Sequence, residues 1–542
     1  MNNKHINIIW KAIFLVLVMS FSACVNDLDI DPVDPDQKAA EQVYEDEDAF
    51  LSGLMKIYAG FAVSGQEGPA GNGDLEGFDE GNSQYWRGFF VCQELPTDEA
   101  VNGWNDGNLP RMSQVTWTSA NEFIRSFYYR ALYQVSVANE YLRQANNVVQ
   151  EDWENADTYI AEARFLRAFA YWHALDLFGN RIPFTTEETA IGGDLPLPAG
   201  EDERGPELFN YLESELLDIV GDGNAESPQL GDPRTLQIGR ADKAAGWMLL
   251  AKLYLNHAVY LGSENATMYE SARTYLDKVI DEGGFSLITT AAAGDVYHPY
   301  EFLFLADNYR SNDEIIFSIN FDGLNSQSFG GTTYIVNASI GGSMIPSDYG
   351  TNSGWGGNRT TSALVEKFSA GDARALFYTD GQTLEIQQQD QFTQGYAVIK
   401  FKNKTREGVA GGGGNQGFSD VNAPVFRLAD AYLMAAEVDL RLGEAVSGAH
   451  LDYLNEIRDR AGVAPVSNVD LQFILDERAR ELYWECHRRT DLIRFGQFVS
   501  GYDWPLKGGV LEGSDVPERY DLMPIPTTDI TANPRLIQNP GY

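Results

Sequence analysis

The chain has 542 residues, with 39 basic and 79 acidic side chains and a formal net charge of −40. A chain this acidic repels nucleic acid and anionic lipid headgroups, which excludes both as partners bound through charge. Hydrophobic residues make up 44% of the sequence and aromatic residues 12%, enough for a large packed core.

The N-terminus has the pattern of a secretory signal peptide. Lys4 and Lys11 flank the start of an apolar run over residues 12–21, and two small residues then lead to Cys24. The run is much shorter than the ~20 residues that cross a bilayer, which disfavours a retained helix. A cysteine at this place resembles the lipobox of bacterial lipoproteins. The resemblance implies cleavage after residue 23 and acylation of Cys24, with plain secretion as the alternative.

Residues 24–37 have the composition of an extended, solvated tether. The segment is rich in acid and contains two prolines: Asp27, Asp29, Asp31, Pro32, Asp34, Pro35 and Asp36. The first three aspartates have calcium-loop spacing, but Pro32 stands where that loop needs glycine and Lys38 where it needs glutamate, so no metal site is predicted. An acidic stretch behind a lipidated cysteine resembles the surface-export signal of Bacteroidetes lipoproteins, which implies an outward-facing outer-membrane lipoprotein.

Amphipathic helices dominate the rest of the chain. Small and aromatic residues recur at helical spacing in five segments: Ala161, Phe165, Ala168, Trp172 and Leu175; Ala244, Trp247, Ala251 and Tyr254; Leu428, Ala431, Ala435, Val438 and Leu442; Leu454, Ile457 and Ala461; Leu471, Ile474, Leu475, Leu482 and Cys486. Gly179 fits a helix C-terminus and Asp470 an N-cap. Such faces are similar to those of tetratricopeptide units, although the helix starts follow no fixed period.

Between the helical segments the chain becomes irregular. Residues 261–425 are rich in Gly, Asn, Ser, Thr and Tyr with short strand-like runs at residues 315–319 and 397–401, and residues 64–118 are similar. We therefore predict a mainly α fold, a tetratricopeptide-like helix-pair scaffold with a large loop-rich insert and a few short strands. The predicted division is 38–260, 261–425 and 426–542 within one compact unit, with binding residues on the loops.

Signatures of catalysis are missing from the sequence. It contains no GxSxG, HExxH or GxxxxGK[ST] motif, and His173 fits a packed helix position better than a ligand position. A GxGxxG at Gly412, Gly414 and Gly417 leads to Pro424 rather than into a helix, so a loop is predicted instead of a phosphate site. We expect no enzymatic activity and no cofactor.

Two further groups of residues admit alternatives. Cys92 and Cys486 lie in apolar or aromatic surroundings, which favours two buried free thiols over one disulfide. Arginines cluster near the C-terminus among interleaved acids, at Arg478, Arg480, Arg488, Arg489 and Arg494. An ion-pair network within the scaffold is favoured for them, and an anion site is the alternative.

Aromatic residues in polar loops are the positive signal for function. A flat ring covers the C–H face of a sugar, while Asn, Asp, Gln and Arg side chains bind its hydroxyl rim. The loop candidates are Trp104 with Asn105 and Asp106, then Trp355, Tyr349, Tyr85 and Trp86. For each of them the structural alternative is packing or loop anchoring.

Five segments resemble the SusD/RagB family of outer-membrane lipoproteins of Bacteroidetes. They are residues 161–184 (AEARFLRAFAYWHALDLFGNRIPF), 426–443 (FRLADAYLMAAEVDLRLG), 454–462 (LNEIRDRAG), 476–495 (DERARELYWECHRRTDLIRF) and 523–542 (MPIPTTDITANPRLIQNPGY). The resemblance implies a helical fold with four tetratricopeptide-like pairs. It also implies a surface protein that captures a neutral glycan for a SusC-like TonB-dependent transporter; RagB-like binding of peptides or another nutrient is the alternative. Trp104 lies where members often present a ligand aromatic.

Replacing the predicted acylation site tests whether the protein is anchored to the membrane. Cys24→Ala removes the thiol that carries the acyl chains, so we expect the protein to remain unprocessed or to leave the membrane fraction. Fractionation and surface-protease labelling of cells measure this, with wild type as reference. Unchanged membrane partitioning of the variant would contradict lipid anchoring.

Overall fold

A computed structural model describes residues 43–542; Cys24 and the acidic tether lie outside the described residues. The helices of the described part are α1 (Glu47–Ala62), α2 (Tyr85–Gln93), α3 (Pro110–Ser113), α4 (Glu122–Val148), α5 (Ala156–Phe178), α6 (Pro206–Val220), α7 (Lys243–Leu255), α8 (His257–Leu261), α9 (Ala266–Asp277), α10 (Gly331–Ala338), α11 (Ser362–Val365), α12 (Leu428–Arg441), α13 (Gly448–Arg460), α14 (Leu471–Leu482), α15 (Arg488–Arg494) and α16 (Thr527–Ala532). Helix therefore dominates, and the predicted mainly α fold is confirmed.

The strands are short and lie in or beside the irregular segments. They are β1 (Val101–Asn102), β2 (Ile315–Ile319), β3 (Asn358–Arg359), β4 (Phe377–Tyr378), β5 (Ala397–Val398) and β6 (Ala423–Arg427). They pair antiparallel as β1–β3, β2–β6 and β4–β5. Each pair joins segments that are distant in sequence or lie across a loop, so these small sheets fix the loops onto the helices.

The helices pack as consecutive neighbours. Helix α4 lies along α5, α5 along α6, α6 along α7, α7 along α9 and α9 along α12, which also contacts α13 and α14. The connections from α4 to α5 (residues 149–155) and from α12 to α13 (residues 442–447) are short, which makes these neighbours antiparallel pairs. Helix α9 lies inside the predicted 261–425 segment yet packs on α7 and α12, and the proposed division of the chain stays a prediction.

The helix faces buried in this packing are the ones that the helical spacing of small and aromatic residues predicts. Ala161, Phe165 and Leu175 on α5 are all buried. Gly179 ends that helix with a φ of 71°, a conformation that a β-carbon disfavours. The Asp470 carboxylate accepts a hydrogen bond from the Phe473 backbone N–H at 2.8 Å, as an N-cap does. The periodicity and both predicted helix ends are confirmed.

A buried network of charges joins the irregular segments to the C-terminal helices. Arg427, at the end of β6, lies 2.6 Å from Glu485, 2.8 Å from Glu481 and 3.2 Å from Glu314. Arg460 on α13 lies 2.6 Å from both Glu314 and Glu481. All five side chains are buried. The network therefore holds the end of β6, the start of β2 and two helices at one point.

Electrostatics within this network are strongly coupled. Burial by itself would raise the pKa of Glu481, but Arg460, Arg427 and Arg374 hold that pKa at about 2. The carboxylate stays ionised because three guanidinium groups surround it. Lys400 extends the network, since its ammonium lies 2.7 Å from Glu485.

No helix within residues 43–542 combines the length and apolar content needed to cross a membrane. Over the same residues, no three His, Cys, Asp or Glu side chains converge as metal ligands. Cys92 and Cys486 are both buried free thiols, so that expectation is confirmed. Burial raises the pKa of Cys92 to about 12, which keeps the thiol protonated.

Breaking the buried network should destabilise the whole chain. Arg427→Met removes one guanidinium and takes one ionic partner from each of three buried carboxylates, so the free energy of unfolding should fall by about 3–5 kcal/mol. Denaturant unfolding measures the loss. Arg234→Met is the matched control, because Arg234 and its ionic partner Asp313 are 34% and 57% exposed. The control should lose at most about 1 kcal/mol; equal losses for the two variants would argue against this account.

Candidate functional site

The pairing of β1 with β3 brings two predicted loop tryptophans together. Asn102 pairs with Asn358, and the Gly103 N–H donates to the Gly357 carbonyl at 2.9 Å. The two segments therefore continue antiparallel beyond the ends of β1 and β3. The Trp104 indole Nε1 then donates to the Trp355 carbonyl at 3.1 Å. Two residues that are 251 positions apart in sequence thus form one surface.

Phe329 completes this surface, which we call the platform patch: Trp104, Trp355 and Phe329. The ring centroids of Trp104 and Trp355 are 6.3 Å apart, and those of Trp355 and Phe329 are 6.2 Å apart. Phe329 is 43% exposed, and both tryptophans are partly exposed. The patch therefore brings three partly exposed aromatic side chains together. Sequence reasoning missed Phe329 because it weighed only Trp and Tyr, although Phe329 is bounded by serine and glycine in a polar loop.

A buried layer supports the patch from below. The Arg87 guanidinium lies 4.5 Å from the centre of the Tyr334 ring and 5.9 Å from that of Trp104, and it donates to the Phe329 carbonyl at 3.2 Å. Burial lowers the pKa of Arg87, and nearby Tyr334 and acidic side chains, Asp106 among them, oppose that shift. Arg87 consequently joins two members of the patch, Trp104 and Phe329, to Tyr334.

Polar contacts fix the Trp104 loop. The Asn102 side-chain oxygen accepts from the Trp104 N–H at 2.7 Å, and the Asn102 amide donates to Asn358 at 2.7 Å. A β-carbon on Gly357 would lie 2.6 Å from the Trp104 ring, so only glycine fits there. The loop is therefore rigid at its base, and Asn105 and Asp106 are exposed at its tip beside the ring.

The prediction that Tyr85 and Trp86 stand on an exposed loop is wrong. They begin α2, whose nine residues are all buried, and the two side chains are 0% and 2% exposed. The Tyr85 hydroxyl bonds the His173 ring at 2.8 Å, and its ring packs edge-on against Phe61. Helix α2 is buried on all sides, so these two rings have no free face for a ligand.

Tyr349 lies at the end of a 3₁₀ turn, Pro346–Tyr349, away from the platform patch. Its ring is partly exposed. Burial, together with the nearby Tyr378 and Asp348, raises its pKa to about 12. The ligand role predicted for Tyr349 stays a prediction, as do those of Trp104, Asn105, Asp106 and Trp355.

Four of the five clustered arginines are paired with carboxylates. These pairs are Arg478 with Asp430 and Asp491, Arg480 with Glu477, Arg488 with Asp98, and Arg494 with Glu437. Arg489 donates instead to the Tyr520 and Asp521 carbonyls. The ion-pair interpretation is therefore the correct one for these four.

The GxGxxG segment also behaves as a loop. Gly414–Gln416 forms a 3₁₀ turn, and the next element is β6 rather than a helix. No helix N-terminus follows that could hold a phosphate group.

These features define a class of protein, a helix-pair scaffold that carries an open aromatic surface. The sequence profile of the SusD family matches residues 374–542. The chain is 34% identical to the starch-binding protein SusD of Bacteroides thetaiotaomicron over an alignment 598 positions long, gaps included, that covers 100% of both chains. It is 26% identical to SusD-like protein P25 of Formosa agariphila, covering 76% of this chain and 78% of that one. The chain belongs to the SusD family.

Solved structures agree with this fold. A SusD superfamily protein from Parabacteroides distasonis superposes with a TM-score of 0.68 at 22% identity, covering 91% of this chain and 99% of that one. Surface glycan-binding protein A from Bacteroides thetaiotaomicron, in complex with laminarihexaose, gives a TM-score of 0.66 at 19% identity, with coverage of 91% and 99%. At these identities the likeness concerns the fold alone.

Proposed function

We propose that this protein is a cell-surface lipoprotein that captures a neutral oligosaccharide or polysaccharide on the platform patch. The observation that carries the proposal is the contact of Trp104 with Trp355 and of Trp355 with Phe329, which leaves adjoining rings partly exposed. Contiguous exposed apolar patches rimmed by polar residues mark interaction or ligand-binding sites.

Sugar chemistry fits this surface. Each ring can cover the C–H face of one pyranose, while Asn105 and Asp106 at the loop tip can bind its hydroxyl groups. Arg87 fixes the rings from below, so little ordering is needed when the ligand binds. Flat contacts of this kind stay wet, and the dissociation constant should be on the order of µM to mM, about −8 to −4 kcal/mol.

Charge favours a neutral ligand. The net charge of the chain is −40, and Asp106 is exposed beside Trp104. An anionic polysaccharide would approach against this field, because the guanidinium under the patch is buried. A neutral glycan carries no such penalty.

Relatives suggest which probes to use first. The relative that is 34% identical over the full length is a starch-binding protein, which supports starch fragments as the first ligands to try. Laminarihexaose, bound by a structural neighbour, is the second.

The proposed role includes delivery of the glycan to a SusC-like TonB-dependent transporter in the outer membrane, without catalysis by this chain. Support comes from membership of the SusD family and from the predicted acylation of Cys24 behind a signal peptide. A RagB-like role in binding peptides would appear in the same assays as binding of peptides in place of glycans.

Truncating one ring of the platform patch tests the site. Trp104→Ala removes the ring that stacks on the sugar and should weaken binding of maltoheptaose by about 1–3 kcal/mol, roughly 5- to 150-fold. Calorimetry against maltoheptaose and laminarihexaose measures the loss. Trp104→Phe keeps an aromatic face without the indole N–H and should retain part of the affinity.

Tyr309→Ala is the control for Trp104→Ala, since Tyr309 is 54% exposed on a separate 3₁₀ turn. A thermal melt of each variant accompanies the titrations. Unchanged binding by Trp104→Ala would refute the site, and a large fall in melting temperature would assign Trp104 to packing instead.

Co-purification tests the proposed partner. Outer membranes solubilised in mild detergent should yield the protein together with a large β-barrel protein, while an unrelated lipoprotein prepared in parallel should not carry that barrel. Isolation of the protein without any barrel would count against delivery. Release of shorter sugars from maltoheptaose by the purified protein would count against a purely binding role.

A further inference from the structure

A second group of exposed aromatic side chains lies beyond the platform patch. We call Tyr349 and Tyr378 the tyrosine patch; Tyr349 ends the Pro346–Tyr349 turn and Tyr378 ends β4. Both rings are partly exposed, and Ile345, at the start of the turn, is 60% exposed. The Ser343 hydroxyl donates to the Asp380 carbonyl at 2.9 Å, so the segment that leads into this turn lies beside the end of β4. Nothing in the platform patch requires this second apolar surface.

The Phe392 ring connects the two patches. A β-carbon on Gly356, the residue after Trp355, would lie 3.8 Å from Phe392 Cγ, and one on Gly342 would lie 3.7 Å from Phe392 Cδ1. Phe392 is partly exposed. The next residue after Gly342 is Ser343, whose hydroxyl lies 3.0 Å from the Tyr378 hydroxyl. The surface from Trp355 to Tyr378 is thus continuous.

Glycines keep this connecting surface flat. A β-carbon on Gly341 would lie 2.8 Å from both the Phe392 ring and the Gly356 α-carbon, so a side chain is excluded there. Gly342 and Gly356 have φ values of 58° and 59°, which favour glycine. Gly341, Gly342 and Gly356 therefore add no side chain of their own between Trp355 and Ser343.

The chemistry of the tyrosine patch matches that of the platform patch. Its rings offer apolar faces, and its phenols and the Ser343 hydroxyl can donate to or accept from sugar hydroxyl groups. Asp348 and Asp380 are exposed at its edge, as Asp106 is at the platform patch. Both ends of the surface therefore favour a neutral, hydroxyl-rich ligand.

We propose that the tyrosine patch binds a second portion of the same neutral glycan chain, so that the protein selects chains long enough to reach from Trp104 to Tyr378. This inference rests on the proposed function and adds chain length as a criterion of selection. Two separated contact areas on one chain act together, because binding at the first raises the effective concentration of the chain at the second.

The test compares a short and a long chain on the full-length protein. Wild type should bind maltoheptaose about tenfold or more tightly than maltotriose, and the double variant Tyr349→Ala/Tyr378→Ala should lose most of that difference while its maltotriose affinity stays unchanged. Ser343→Arg, which places a long side chain at an exposed position between the patches, should have the same effect without altering packed residues. Tyr309→Ala should leave both affinities unchanged.

Each outcome decides between the two proposals. Equal affinity of wild type for both chains, or a preference for maltoheptaose that survives in both the tyrosine and the Ser343→Arg variants, would overturn the length criterion and leave the platform site intact. Insensitivity of maltotriose binding to Trp104→Ala would overturn the platform site by itself. Absence of binding to maltotriose, maltoheptaose and laminarihexaose alike would overturn both.

Discussion

The ionic contacts of Arg427 with Glu314, Glu481 and Glu485 determine how the irregular segments meet the helices. Arg427 ends β6 and the next residue begins α12, so the position of its guanidinium fixes both elements. Burying so many charges costs desolvation energy, and a well-packed apolar core could supply equal stability. We infer that the network serves chiefly to specify one arrangement, since displacing any member strands a buried charge.

A series of contacts connects this network to the platform patch. Strand β2 pairs with β6, and β2 leads through the Phe329 loop into α10, which carries Tyr334. Tyr334 packs edge-on against Trp104 and lies under Arg87, while the β1–β3 pair supplies Trp355. The aromatic surface is therefore assembled from loops, but each loop is fixed by contacts with the scaffold. A rigid surface of this kind loses little entropy when a ligand binds.

Helical periodicity made the scaffold predictable from the sequence, because a buried face repeats every three or four residues over many turns. The same reasoning misjudged Tyr85 and Trp86, because their helix is only nine residues long, is buried on every side and follows a glycine-rich stretch. The sequence indicates Trp104 and Trp355 separately as candidate ligand residues, but it does not predict the contact between them. The two-residue strands that join them leave no periodic trace, and pairing across 251 positions is a property of the tertiary structure.

Because the two tryptophans are far apart in sequence, they come into contact only when the chain is folded. A fragment or a partly unfolded chain lacks the β1–β3 pair and with it the contact between the tryptophans. A ligand on this surface consequently binds the native state alone, and at 100 times its dissociation constant it adds about 2.7 kcal/mol to the free energy of unfolding. Even a weakly bound nutrient, when abundant, would protect the protein from proteases, and scarcity of that nutrient would shorten the lifetime of the folded chain.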